Sequence, residues 1–519
     1  MEALTSLIPV ALYPILTIVF LFAFFLHYAY IHYVKRPQLA RARGPQQEEV
    51  YDTLQLRFFF SRRKMKRRDM APLLTIVVVF TFLAVFNLGS THPVDVITAL
   101  GTPPQGVSHM HGMYFDEIYF VRTAVEHIEN IQTFEISHPP LGKDIIASSI
   151  LMFGLSPFGW RLMGALAGVV MLVVMYIFMK NMFGKTIVAT CGTLLLGFDF
   201  MRFSMSRIGS VDIFLVLFIL LAFFFMYRYI TTNPDAPFRR RLKPLALSGL
   251  FFGLSVSVKW IGFYAGIGLL IIYIIHLVQL KIYYKANKKR GYYTHLQRTL
   301  LYSLLFFVVI PVVIYYFSYV PFARTRGVNA SPIMFFTAQY FRLFWENQVF
   351  MFNYHTTLVA EHPFSSPWWQ WIFNIRPVFF VLRYADDTRA AFGAFGNPVV
   401  WWGGFVAMIA MVVRVFTHRD AKALFILVGY LSLLVPWMFV SRILFIYHYF
   451  PSTLFLVLAL AHIFSTSLES KRYIHKVTTY AYTTFAGIVF AMFYPSLSGM
   501  YMPLWYFPNV VRWLNTWPF

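Results

Sequence analysis

The sequence predicts an all-α polytopic membrane protein of about 11–12 transmembrane helices, with two large extracytoplasmic loops. Three observations predict it. Of 519 residues, 59% are hydrophobic and only 13% are charged, against about 25% in a soluble domain. Apolar runs near the bilayer-crossing length of about 20 residues recur along the chain, separated by short charged loops. The charge is also asymmetric. With 35–71 placed in the cytoplasm and the spans alternating from there, the net charge of +23 falls on the cytoplasmic face.

The run LIPVALYPILTIVFLFAFFLHYAY (7–30) exceeds the about 7–15 residues of a signal-peptide core. It has no basic segment before it, so it reads as a span. Spans are expected at 8–34, 72–90, 160–178, 186–200, 212–229, 245–258, 261–280, 300–320, 398–416, 423–440, 449–466 and 477–495; those at 186–200 and 245–258 are short. This divides the chain into an extra N-terminal helix with a basic cytoplasmic loop (1–71), a membrane body (72–495) and an extracytoplasmic tail (496–519). External loops run over 91–159 and 321–397, and LGKDIIASSILMFG (141–154) suits a helix in the interface. One cysteine, Cys191, excludes an internal disulfide. The basic clusters RRRLK (239–243) and KANKKR (285–290) read as topology signals touching anionic lipid, which leaves no nucleic-acid role.

Several charges lie on the outer loops or at outer helix ends: Asp116, Glu117, Lys143, Arg161, Arg202, Arg207, Asp212, Lys259, Arg376 and Arg442, with His138 among them. Charges at membrane depth cost about 2.5–3.5 kcal/mol on insertion scales, so they mark function or anchor a helix end. The adjacent acids in HGMYFDEIYF raise each other's pKa, which suits a general base; two acids on a solvated turn is the plain alternative. The cations suit an anionic ligand, such as the phosphate of a lipid. His355 and His362 lack standard metal-ligand spacing and fit hydrogen-bonding roles, so no metal site is expected.

Taken together, FDEIYF (115–120), SHPPLGK (137–143), FGWRLMGALAG (158–168), MRFSMSRIGSVD (201–212), SVKWIGFYAG (257–266), YHTTLVAEHPFSSPWWQWIFNIRP (354–377), GNPVVWW (396–402) and SRILFIYHYFPS (441–452) resemble the protein O-mannosyltransferase family over roughly 72–495. The resemblance implies a glycosyltransferase of the GT-C type. It implies inverting transfer of mannose from a polyprenyl-phosphate-mannose donor to Ser or Thr hydroxyls of proteins crossing the membrane, with no cofactor. Asp116 matches the catalytic aspartate, with Glu117 beside it to orient the acceptor or hold Asp116. Arg161 matches an arginine after the first loop. Arg442, Arg207 and Lys259 are the expected donor-phosphate ligands. His138, Arg161, His355 and His362 are expected to position the acceptor and the loops.

Two departures stand out. Tyr119 sits where the family often has His, and loop 321–397 is too short for the β-trefoil of eukaryotic members. The second fits a prokaryotic member in the plasma membrane, working on the extracytoplasmic face. The implied partners are the lipid-linked donor, the protein acceptor, membrane lipid and the protein export machinery. A transferase acting on a lipid or polysaccharide acceptor stays open. A transporter is remote, because the charges cluster at one face and no inverted repeat is visible.

Overall fold

A computed structural model describes residues 65–89, 113–470 and 472–517. The expected span at 8–34 and most of the basic loop after it lie outside the described residues. Among those described, nine helices are long and apolar enough to cross a membrane: Arg67–Val85, Pro157–Phe183, Asp212–Ile230, Phe238–Val258, Gly262–Ala286, Tyr292–Thr325, Pro398–His418, Ala421–Phe439 and Ile446–Ser470. The expected span at 186–200 is a shorter apolar helix, Thr186–Gly197. That at 477–495 lies within a 26-residue helix, Tyr473–Ser498, whose Thr, Tyr and Ser side chains dilute its apolar character.

Local chemistry sets the helix ends. The side chains of Ser156, Asn397 and Asp420 accept backbone N–H groups at three helix starts, with Pro157 and Pro398 opening the first two. Gly184 and Gly499 close helices in the left-handed conformation. Between helices, small residues allow close approach. A Cβ on Gly249 would lie 2.2 Å from the Phe306 carbonyl oxygen, inside the π-helical stretch Leu305–Val309. One turn along, a Cβ on Gly253 would lie 2.8 Å from Cα of Pro311. Among the described residues, only 6% of the apolar window of Tyr292–Thr325 is buried.

The two long loops form a cap. The first carries the helices Glu117–Glu129 and Leu141–Phe153, joined by an extended stretch at 131–140. The second carries the helix Ala338–Thr357, followed by a small antiparallel sheet that the all-α reading did not include. Its strands β1 (Val378–Ala385) and β2 (Thr388–Ala394) join through Asp386–Asp387, with φ of +48° at Asp386. A short strand, β3 (Met502–Pro503), pairs with β2 as the C-terminal segment folds back. Trp517 Nε1 then donates to the Asn374 carbonyl at 2.8 Å. The hairpin lies against the first loop. Phe380 and Phe392 are in ring contact with each other, and they meet Phe115 and Tyr114, respectively, just before the acidic pair.

Candidate active site

The chain enters the acidic pair through Phe115, whose φ of +53° is left-handed. An aromatic residue there is strained, at a cost of about 1–3 kcal/mol. Phe380, 4.6 Å away between ring centres, and Tyr447, 6.0 Å away, hold it. Helix Glu117–Glu129 starts immediately afterwards, and the two acids diverge.

Glu117 turns inward and is 0% exposed. Arg161 grips it with Nε to Oε1 and Nη2 to Oε2, both at 2.8 Å. The backbone N–H of Gly209 donates to Oε1 at 2.7 Å and that of Tyr114 to Oε2 at 3.3 Å. A Cβ on Gly209 would strike Val121 at 2.5 Å, so only glycine lets this backbone in. Arg161 also donates to the Leu88 carbonyl at 3.1 Å and lies over the Tyr114 ring. Its carboxylate is buried with four hydrogen bonds and ties the turn that carries Asp116 to the bundle, the geometry expected of a residue that holds Asp116 in place. Arg161 positions the loop through Glu117 and is itself buried.

Asp116 stays half-buried, and its carboxylate accepts no hydrogen bond from any described residue. Burial pushes its pKa up to about 7; Asp212 and Glu135 push the same way and Lys259 opposes. Lys259 donates to both oxygens of Asp212, at 3.0 and 3.1 Å, so much of its charge is already matched.

Stretch 131–140 is fastened around Glu135, which sequence reading missed. Lys143 Nζ donates to its Oε2 at 2.7 Å, and to the Glu135 and His138 carbonyls. Burial would raise the Glu135 carboxyl, but Lys143 and His138 hold it well below the usual range. From the second loop, Asn347 donates to the Ile136 carbonyl at 3.0 Å and His355 Nε2 to that of Ser137 at 2.9 Å. Burial pushes His355 down to about 3 and lowers His138, so both are neutral near pH 7. His138 and His355 are in ring contact at 5.4 Å, and the His355–Ser137 bond fastens the two loops together. His362 is exposed; its Nδ1 accepts from the Phe364 N–H, and it lines a cavity in the second loop.

That cavity measures about 930 Å³, a size suited to ligands. Arg376, Trp368, Trp437 and Arg442 line it with His362. Asp116 is not in its wall. The link is Tyr447, which lies within electrostatic reach of Asp116, Asp212, Arg442 and Tyr354. Arg442 makes one hydrogen bond among the described residues, to the Ile443 carbonyl at 3.3 Å, and keeps its other donors free. Arg207 differs. It is buried, and Nη1 donates to the Leu83 and Ala84 carbonyls at 3.1 and 2.7 Å. It caps the end of helix Met70–Val85, as cations do at helix C-termini. Unlike Arg442, Arg207 therefore has its Nη1 donor engaged by the helix end. Among the described residues no three His, Cys, Asp or Glu side chains gather to hold a metal ion.

Among the described residues, Asp116 is an unpaired carboxylate under a two-loop cap, with cations near it above a bundle of membrane helices, an arrangement suited to a multi-pass membrane transferase. Two family models match the chain. One, described as dolichyl-phosphate-mannose-protein mannosyltransferase, matches 96–324; the other, the C-terminal four-transmembrane region of protein-O-mannosyltransferase, matches 340–517. The chain belongs to the protein O-mannosyltransferase family. A polyprenol-phosphate-mannose–protein mannosyltransferase of Mycolicibacterium smegmatis is 26% identical over 503 residues, covering 86% of this chain and 92% of that protein. One of the same description from Corynebacterium glutamicum is 24% identical over 410 residues, covering 70% and 76%. The Saccharomyces cerevisiae Pmt1-Pmt2 complex bound to its sugar donor shares the fold, with a TM-score of 0.73 at 13% identity over 88% of this chain and 94% of that one.

Proposed function

We propose that this enzyme transfers mannose, with inversion, from polyprenyl-phosphate-mannose to Ser or Thr hydroxyls of proteins. We place the reaction on the extracytoplasmic face of a prokaryotic plasma membrane. The observation that carries the proposal is Asp116: a half-buried carboxylate without a hydrogen-bond partner among the described residues, held near pKa 7 at the start of a helix. The named bacterial relatives, matched along most of their length, support the donor and acceptor classes. The positive-inside charge pattern supports the sidedness.

The chemistry asks for one base and one cation. The acceptor hydroxyl attacks the sugar carbon and gives its proton to Asp116. The bond from that carbon to the phosphate oxygen breaks, and the polyprenyl phosphate leaves with one more negative charge. A single in-line attack inverts the centre. Arg442, with free donors beside the large cavity, receives the phosphate charge. Lys259 adds positive potential near Asp116 while paired to Asp212. The neutral histidines His138 and His355 hold the two loops at the acceptor's entrance.

The direct test gives the purified protein a polyprenyl-phosphate-mannose donor with a Thr-containing peptide or a lipid acceptor, each with and without chelator. One added hexose on the peptide is the expected product. Transfer to the lipid alone would sink the protein-acceptor reading. Replacing Arg442 with Gln is expected to raise the donor KM about tenfold or more, since a charged hydrogen bond contributes about 1.5–3 kcal/mol. The peptide KM should stay within about twofold, and kcat should fall as well, because part of the contact strengthens only as the phosphate gains charge. Equal rises in both KM values would refute the phosphate role.

A further inference from the structure

Phe115 holds its left-handed backbone immediately before Asp116. Its carbonyl and that of Tyr114 accept the N–H groups of Ile118 and Glu117, both at 3.2 Å. This strained residue therefore sets the direction in which the helix carrying Asp116 starts. Adjacent residues on a helix point about 100° apart. Glu117, gripped by Arg161, fixes one of those directions from the bundle side. One anchored side chain leaves the turn before it able to relax, and a second support comes from the hairpin.

Phe380 reaches Phe115 because β1 is irregular. Phe379 pairs with Gly393 and Val381 with Phe392, so Phe380 is the extra residue of a β-bulge. Bulges re-aim a side chain and recur beside active sites. Phe379 and Phe380 are buried alike, at 8% and 7% exposed, but in different apolar clusters. Phe379 packs on Phe364 at 5.6 Å and Phe380 on Phe115 at 4.6 Å. A Cβ on Gly393 would lie 2.4 Å from the Val378 carbonyl oxygen, so only glycine lets the strands close beside the bulge. Phe392 backs the contact, 5.2 Å from Phe380 and 5.7 Å from Tyr114. The C-terminal segment braces the hairpin at both ends. The Leu504 N–H donates to the Asp387 carbonyl at 3.2 Å near the tip, and Thr516 Oγ1 to the Ile375 carbonyl at 2.6 Å near the base.

We infer that Phe380 is a positioning residue: re-aimed by the bulge, its ring holds Phe115 in the left-handed turn and so sets where the Asp116 carboxylate meets the acceptor hydroxyl. The inference rests on the proposed role of Asp116 as the base. Phe380 acts on the chemical step through the turn and not on the binding of either substrate.

The test measures kcat and both KM values with polyprenyl-phosphate-mannose and a Thr-containing peptide, alongside thermal melts. Phe380→Leu should lower kcat about tenfold with both KM values within about twofold, because a catalytic group misplaced by about 1 Å costs that much or more. Phe380→Tyr keeps the ring and should stay within about twofold of the wild-type kcat. Phe379→Leu deletes a ring from the same strand at the same depth. It should lower the melting temperature as Phe380→Leu does and leave kcat within about twofold. Phe115→Leu reads the same contact from the other side, and Phe115→Leu/Phe380→Leu should have no lower kcat than the worse single variant. Equal kcat losses in Phe379→Leu and Phe380→Leu would overturn the inference, and so would losses that multiply in the double variant. Failure of the wild type to modify the peptide would overturn the transferase reading beneath it, a result distinct from an unchanged kcat in Phe380→Leu, which overturns the positioning role alone.

Discussion

Asp116→Asn is expected to lower transfer by a factor of about 10²–10⁴, the usual contribution of a general base, while the protein still folds. The substitution keeps the shape of the side chain, and no described residue loses a hydrogen bond to it. The wild-type rate should rise with pH through about 7, as Asp116 gives up its proton, and the variant should lack that limb. The effect on stability has the opposite sign. The folded carboxyl titrates at about 7 and the unfolded one near 3.8, so between those values the folded state holds the extra proton. Stability is therefore greatest below the unfolded pKa and falls as pH rises to about 7. Asn does not titrate, so the variant should lose less melting temperature than the wild type between pH 5 and pH 8. Near-normal turnover by purified Asp116→Asn would exclude Asp116 as the base.

Glu117→Gln is expected to act through the fold. It leaves the Arg161 guanidinium buried without its counter-charge, a loss of about 3–5 kcal/mol for a broken buried pair. The melting temperature should drop clearly, and activity should fall with it as the strained turn at Phe115 loosens. Arg161→Met should cost about as much, because it strands Glu117. The double variant Glu117→Gln/Arg161→Met should be less destabilised than the sum of the two, since it strands no charge. The melting curve separates this account from its rival. If Glu117 were the base, Glu117→Gln would abolish transfer and leave the melting temperature where it was.

These predictions divide an adjacent pair that local sequence could not divide. FDEIYF marks Asp116 and Glu117 alike. Arg161 and the Gly209 N–H, which come from elsewhere in the chain, draw Glu117 inward and leave Asp116 free. The same holds for the cations. Arg207, Lys259 and Arg442 look equivalent as outer charges, yet one caps a helix, one pairs with Asp212 and one faces a cavity. Glu135 lay two residues before SHPPLGK, and its only local signal was an acid in an apolar loop. Its role depends on Lys143 reaching back to it.

The hairpin was legible only in part. VFFVLRYADDTRAAFGA contains an Asp-Asp pair suited to a tight turn, but in so apolar a chain its runs were not distinguished from the rest of a long loop. What ties it to function is Phe380 beneath Phe115, a contact between residues far apart in sequence.

The sequence by itself determined the membrane class, the approximate spans, the family and the position of the acidic pair. These follow from composition, run length and ordered motifs, which are local quantities. Only the tertiary structure decided which of two neighbouring carboxylates is left unpaired by the described residues, which cation keeps donors beside the cavity and how two distant loops fasten to each other. Those outcomes depend on desolvation and on hydrogen-bond partners supplied by other segments, and neither exists until the chain has folded.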